Sequence, residues 1–131
     1  MIVVDTSALM AIVLDEPDAE ACIKVLENEP EILISAGTMA EALIVAQRRN
    51  LDQEMTELVD GLGLTVVTVT AASARRIARA HARWGKGSHG ARLNFGDCFA
   101  YDVAKEHACP LLFIGEDFSK TDIERAALSK K

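Results

Sequence analysis

The chain has no apolar run near the roughly 20 residues needed to cross a bilayer, although half of its 131 residues are hydrophobic. The opening run, Met1-Ile2-Val3-Val4, is too short for a signal-peptide core and lacks a basic start. No membrane segment or secretion signal is expected, and the protein reads as cytoplasmic. Cysteine is scarce: Cys22, Cys98 and Cys109 are odd in number and contain no C-x-x-C pair. Such a set makes neither a disulfide frame nor a zinc site, and it reads as small reduced thiols in a core. His81, His89 and His107 have no metal-ligand spacing. Aromatic residues are 5%, and Trp84 and Tyr101 are too few for a base-stacking platform. No P-loop signature is present. A net charge of −6 argues against an all-over basic nucleic-acid binder.

What the chain does have is a set of carboxylates just past its apolar runs. Asp5 ends Met1-Ile2-Val3-Val4, Glu41 follows Ile32-Leu33-Ile34, Asp97 follows Leu93-Asn94-Phe95-Gly96, and Asp117 follows Leu111-Leu112-Phe113-Ile114. Open parallel sheets bind ligands beyond the carboxyl ends of their strands, so acids far apart in sequence can meet there. Acids without basic partners repel one another unless a cation neutralises them. Hard oxygen ligands suit Mg²⁺ or Mn²⁺, and the combination points to metal-dependent phosphodiester chemistry.

The patterning supports such a sheet. Strands are expected at 1–5, 32–35, 64–69 and 111–114. Helices are expected at 7–14 with Thr6 or Ser7 as cap, from Asp18 to Pro30, from a Thr38-to-Glu41 capping box to about Arg49, and at 52–60, 71–84 and 97–107. Gly85, Gly87 and Gly90 make 85–96 a loop, and the tail from Thr121 to Lys131 reads as helical or frayed. Continuous apolar strands alternating with helices favour a parallel sheet covered on both faces. No linker or repeat divides the chain, so residues 1–131 are expected to form one domain.

Charge is uneven. Arg75, Arg76, Arg79, Arg83, Lys86 and Arg92, with His81 and His89, run without an intervening acid. Arg75, Arg79 and Arg83 share a helix face that leads into a glycine-rich basic loop. A solvated face is the plain reading; a phosphate-binding rim beside the acids is the functional one.

Each acid has a bland reading too. Asp5 serves as a helix cap, Glu41 as the acid of a capping box, and Asp97 as a first-turn acid favoured by the helix dipole. Asp102 reads as a supporting or surface acid, and Glu116, Asp117 and Asp122 as residues of a solvated turn. Ser7 stands where an aspartyl-phosphate phosphatase has a second Asp, which disfavours covalent catalysis. It is placed to hydrogen-bond Asp5 or a metal-bound water.

Four segments together resemble the PIN-domain family, specifically VapC-type toxin ribonucleases of toxin–antitoxin pairs. They are Val3-Val4-Asp5-Thr6-Ser7-Ala8-Leu9, Ile34 to Ala42, Arg92 to Tyr101, and Pro110 to Phe118. The resemblance runs nearly end to end. It implies an α/β/α sandwich with a central parallel sheet, and Mg²⁺ or Mn²⁺ bound by Asp5, Glu41 and Asp97. The fourth acid falls in Gly115-Glu116-Asp117-Phe118, with Asp117 favoured and Glu116 the alternative. RNA hydrolysis follows, and the clustered charge of Arg75, Arg79, Arg83, Lys86 and Arg92 makes them candidate backbone contacts. A homodimer and a small VapB-type antitoxin are the implied partners, with helices near 18–60 as the antitoxin's groove. The rival reading is a catalytically inactive PIN-like binding or regulatory module. One departure from the family pattern is the end, where no clear final strand follows Asp122.

Overall fold

The computed structural model describes residues 1–87 and 92–128. His89 of the basic loop and the Lys130-Lys131 end lie outside the described residues. The strands are β1 (Ile2–Val4), β2 (Ile32–Ser35), β3 (Thr65–Val67) and β4 (Leu111–Leu112). They pair parallel in the order β3-β2-β1-β4, with Val3 opposite both Leu33 and Leu111.

Strand periodicity divides the core into two layers. Ile2, Val4, Ile32, Ile34 and Leu112 face one side, where they pack with α1 (Thr6–Val13), α2 (Ala19–Glu27), α3 (Ala36–Arg48) and α4 (Asp52–Gly61). Val3, Leu33, Leu111 and Phe113 face the other, against α5 (Ala71–Trp84) and α6 (Phe95–His107). Successive side chains of a strand point to opposite faces, so a strand buried on both sides must be apolar at every position. That is why these strands read as unbroken apolar runs. The expected α/β/α sandwich with a parallel sheet is the observed fold.

The order of the strands locates the site. The chain steps outward from β1 to β2 to β3, then returns to place β4 on the far side of β1. The reversal at β1 is the switch point where parallel sheets open a cleft beyond their carboxyl ends. Asp5 lies at the end of β1, and its backbone N–H donates to the Leu112 carbonyl at 3.0 Å.

Several elements differ from expectation. β3 is only three residues long and is the exposed edge, with Val66 45% exposed. α3 starts at Ala36 with Ser35 as its cap, the Ser35 hydroxyl accepting from the Gly37 N–H at 3.1 Å. Thr38 and Glu41 therefore do not form a capping box; Glu41 lies inside the helix. Asp18 stands at the α2 N-cap without a side-chain cap bond. α6 opens at Phe95, with Asn94 as cap. Residues 121–128 are not helical. Leu111 N–H donates to the Glu124 carbonyl and Ala126 N–H to the Leu111 carbonyl, which pairs the tail parallel to β4 at Arg125. The bridge covers the free edge of β4, and its brevity hides it from a pattern search. Among the described residues, no helix is long and apolar enough to cross a membrane.

α5 is anchored by a pair that the basic-run reading left among the surface charges. Arg76 Nε donates to Asp102 Oδ1 at 2.7 Å and Arg76 Nη2 to Oδ2 at 3.2 Å. The Asp102 carboxylate is buried, so removing its partner leaves an unpaired charge away from water. Arg76→Ala is therefore expected to lower Tm clearly in thermal unfolding, and Arg75→Ala to leave it unchanged. Equal effects would show that the pair does not anchor the helix.

Candidate active site

Asp5 is the N-cap of α1. Its Oδ2 accepts from the Ser7 N–H at 3.1 Å and from the Ser7 hydroxyl at 2.8 Å. The same hydroxyl accepts from the Ile114 N–H at 3.0 Å, so Ser7 ties the end of β1 to the end of β4. Neither Thr6 nor Ser7 caps this helix. Asp5 does, and the cap role engages only one of its oxygens. Asp5 Oδ1 is buried and has no hydrogen-bond partner.

Glu41 approaches from α3. Its Oε1 accepts from the Thr6 hydroxyl at 2.7 Å. Its carboxylate also lies directly against Gly96, where an added Cβ would fall 1.9 Å from Oε2. Gly96 is thus required by close approach. Asp97 sits in the first turn of α6, in a capping box with Asn94: its Oδ2 accepts from the Asn94 N–H at 3.0 Å, and its own N–H donates to Asn94 Oδ1 at 2.9 Å. Thr6, Asn94 and Gly96 are site residues that the sequence reading missed. The only local signal was the Asn three residues before Asp97, a cap spacing.

The Asp117 loop leaves β4 through Gly115, whose φ of +95° favours glycine. Asp117 is exposed, yet it is one of the charges that raise Asp97. Glu116 is directed elsewhere: its Oε2 pairs with Arg125 Nη1 at 3.6 Å, largely in solvent.

The electrostatics join these residues. Burial raises Asp97 from 3.8 to about 7, with further increments from Asp5, Asp117 and Glu41. Burial raises Asp5 from 3.8 to about 6, against the lowering effect of its Ser7 bonds and with a further increment from Glu41. Among the described residues, no Lys or Arg forms a salt bridge with Asp5, Glu41 or Asp97. Nor, among them, are three His, Cys, Asp or Glu side chains already gathered into a group that would hold a metal ion. The acids are within electrostatic reach, and mutual repulsion opposes a closer approach. An all-oxygen donor set with one buried, unpartnered oxygen fits a hard divalent cation.

The basic residues are on the surface and, among the described residues, make no salt bridge to these acids. Arg75, Arg79 and Arg83 are exposed on α5, and Lys86 and Arg92 are exposed beyond it. The Arg83 guanidinium stacks on the Trp84 ring, 4.6 Å from its centroid. Trp84 Nε1–H donates to the Tyr101 hydroxyl at 2.9 Å, which donates to Asp122 Oδ1 at 2.6 Å. Trp84, Tyr101 and Asp122 are therefore a strut between α5, α6 and the tail. Within residues 18–60, Cys22, Leu26, Ala42, Met55 and Val59 are buried in the core, while Ile23 and Ile44 stay exposed. An open apolar groove lies between α5 and the start of α6.

The PIN domain family model matches residues 2–124. The chain is 41% identical to VapC ribonuclease Mb0640 of Mycobacterium bovis over 96% of this chain and 98% of that protein. This chain belongs to the VapC ribonucleases of the PIN-domain family. The fold of this PIN domain is that of Mycobacterium tuberculosis VapC20, a Sarcin-Ricin loop cleaving toxin, at a TM-score of 0.78 and 17% identity, covering 96% of this chain and 98% of that one. A toxin–antitoxin complex from Klebsiella pneumoniae contains a chain matching at a TM-score of 0.68 and 18% identity, with 93% of each covered.

The raised acids make metal-free stability depend on pH. A carboxyl whose folded pKa lies above its unfolded value keeps its proton more tightly when folded. Stability then falls as pH rises from the unfolded 3.8 through the folded value of about 7. Asp97→Asn removes the buried charge and keeps the oxygen that accepts from Asn94. In EDTA, the variant is expected to unfold at a higher temperature than wild type at about pH 8, with the gain vanishing near pH 4. A gain equal at both pH values would contradict this.

Proposed function

We propose that residues 1–131 form one PIN domain that acts in the cytoplasm as the toxin of a toxin–antitoxin pair. In this reading the protein is an endoribonuclease, dependent on Mg²⁺ or Mn²⁺, that hydrolyses RNA phosphodiester bonds. Asp5, Glu41, Asp97 and Asp117 would hold the cation. The carrying observation is geometric: Asp5 and Asp97 are buried with no basic partner among the described residues, and Asp5 Oδ1 has no hydrogen-bond partner, while burial first and neighbouring acids second raise both carboxyls. A scaffold has no use for such an arrangement, because buried unpaired charge costs stability.

The chain's own groups have distinct roles in this proposal. When bound, a divalent cation supplies Lewis acidity that activates water and screens charge on the phosphate. Ser7, Thr6 and the Asn94 N–H each fix one carboxylate oxygen, of Asp5, Glu41 and Asp97 respectively. The oxygens outside these bonds are the ones left to face a ligand. Asp117 adds charge near enough to raise Asp97. Glu116, paired with Arg125, is the weaker choice for the fourth acid. No side chain is needed as a covalent nucleophile.

Arg75, Arg79, Arg83, Lys86 and Arg92 are proposed contacts for the RNA backbone. The Klebsiella complex supports a small antitoxin as partner, and a homodimer is the proposed assembly.

Cleavage of RNA by purified, antitoxin-free protein tests the reading. Discrete products are expected with Mg²⁺ or Mn²⁺ and none in EDTA. Asp5→Asn, Asp97→Asn and Asp117→Asn are each expected to reduce the rate about 100-fold or more, the scale of several kcal/mol of lost charge stabilisation. Glu116→Gln is expected to cleave nearly as wild type. Equal cleavage by wild type and the Asp variants, or cleavage that survives chelation, would contradict the proposal. No cleavage across a broad RNA panel would favour the inactive binding module.

A further inference from the structure

Phe95 is 69% exposed, the largest exposure of any large hydrophobic side chain among the described residues. It is the first residue of α6, one before Gly96, against which Glu41 rests, and two before Asp97. Its ring meets Phe99 edge to face, with centroids 4.9 Å apart. Phe99 is itself wedged on Gly37, where an added Cβ would lie 2.3 Å from the ring. The Phe95 ring is therefore braced by a fixed neighbour while most of it stays in water. It lines a groove of about 630 Å³ together with Val69, Ala74, Ala78 and His81.

The surroundings of the groove say what fits it. Arg75 and Arg79 each follow a groove residue by one position, about 100° around the helix. They therefore stand on its outer shoulder, and both are exposed. A largely apolar slot with a cationic shoulder, one wall of which is the residue preceding Gly96 and its Glu41 contact, suits the flat face of a nucleobase joined to a phosphate backbone. A basic peptide would be repelled by the same shoulder.

We infer that Phe95 stacks on the nucleobase adjoining the phosphodiester that this protein cuts. The inference rests on the ribonuclease reading above. Stacking on an exposed ring is open to every base, because each has a π-face. Its main effect is to hold the strand in register over Asp97 and Glu41. A modest preference for the larger bases follows from their greater overlap with the ring.

The test uses an oligoribonucleotide that wild type cleaves, and matched strands with an abasic residue on either side of the cut. Phe95→Ala is expected to raise KM by about 5- to 100-fold, with kcat changed less, and Phe95→Trp to restore KM. One abasic position is expected to raise the wild-type KM similarly and to add nothing in Phe95→Ala, because the two changes remove one contact. An unchanged KM in Phe95→Ala would overturn the inference, as would an abasic effect of equal size in both proteins. Sedimentation of each variant supplies the remaining outcome: a KM that follows dissociation of an oligomer, unrestored by Trp, would make this face an interface between copies. A wild type that cleaves no RNA would instead overturn the ribonuclease reading itself.

Discussion

Asp5 and Asp97 are held almost out of water, within electrostatic reach of Glu41 and Asp117, with no basic side chain paired to them among the described residues. Burial favours the neutral form of a carboxyl, and neighbouring negative charge favours it further. Both effects act here in the same direction. The site therefore stores unfavourable electrostatic energy that the rest of the fold must offset through apolar burial. A divalent cation relieves both effects at once, which gives the arrangement a use that structure alone does not supply.

The scaffold meets this constraint by fixing one oxygen of each acid with a local donor. Ser7 holds Asp5 and also receives the Ile114 N–H, so β1 and β4 are tied at the switch point. Thr6 holds Glu41 across to α3, and Gly96 leaves the space that its carboxylate occupies. Asn94 and Asp97 cap α6 together. Local helix capping and site assembly are thus the same set of bonds. Capping and catalysis are not competing accounts of Asp5 and Asp97, because a carboxylate has two oxygens and the cap engages one.

Much of this was legible in the chain. Buried parallel strands announce themselves as apolar runs, and the acids at their ends were conspicuous for that reason. The layers and the strand at 32–35 followed from period and punctuation. Glu41 was found for its place after β2, yet its local role was misread, because a Ser35 cap competes with a Thr38 cap and tertiary packing decides between them. Thr6 and Gly96 were missed because their importance is a contact across the fold, with no local pattern to mark it; Asn94 carried only a cap spacing to Asp97, which also reads as an ordinary helix start. Phe95 fell in the expected 85–96 loop, and an apolar residue carries no sign of its own exposure. The tail was misjudged because a single bridge at Arg125 is too short to leave a strand signature.

Titration of metal-free protein with Mn²⁺ near neutral pH, followed by electron paramagnetic resonance of the free ion, addresses the central claim without relying on a substrate. Saturable uptake by wild type, weakened at least about tenfold in both Asp5→Asn and Asp97→Asn, is the predicted result. Uptake that is equal in all three proteins, or absent from wild type, would show that the clustered acids are not a cation site.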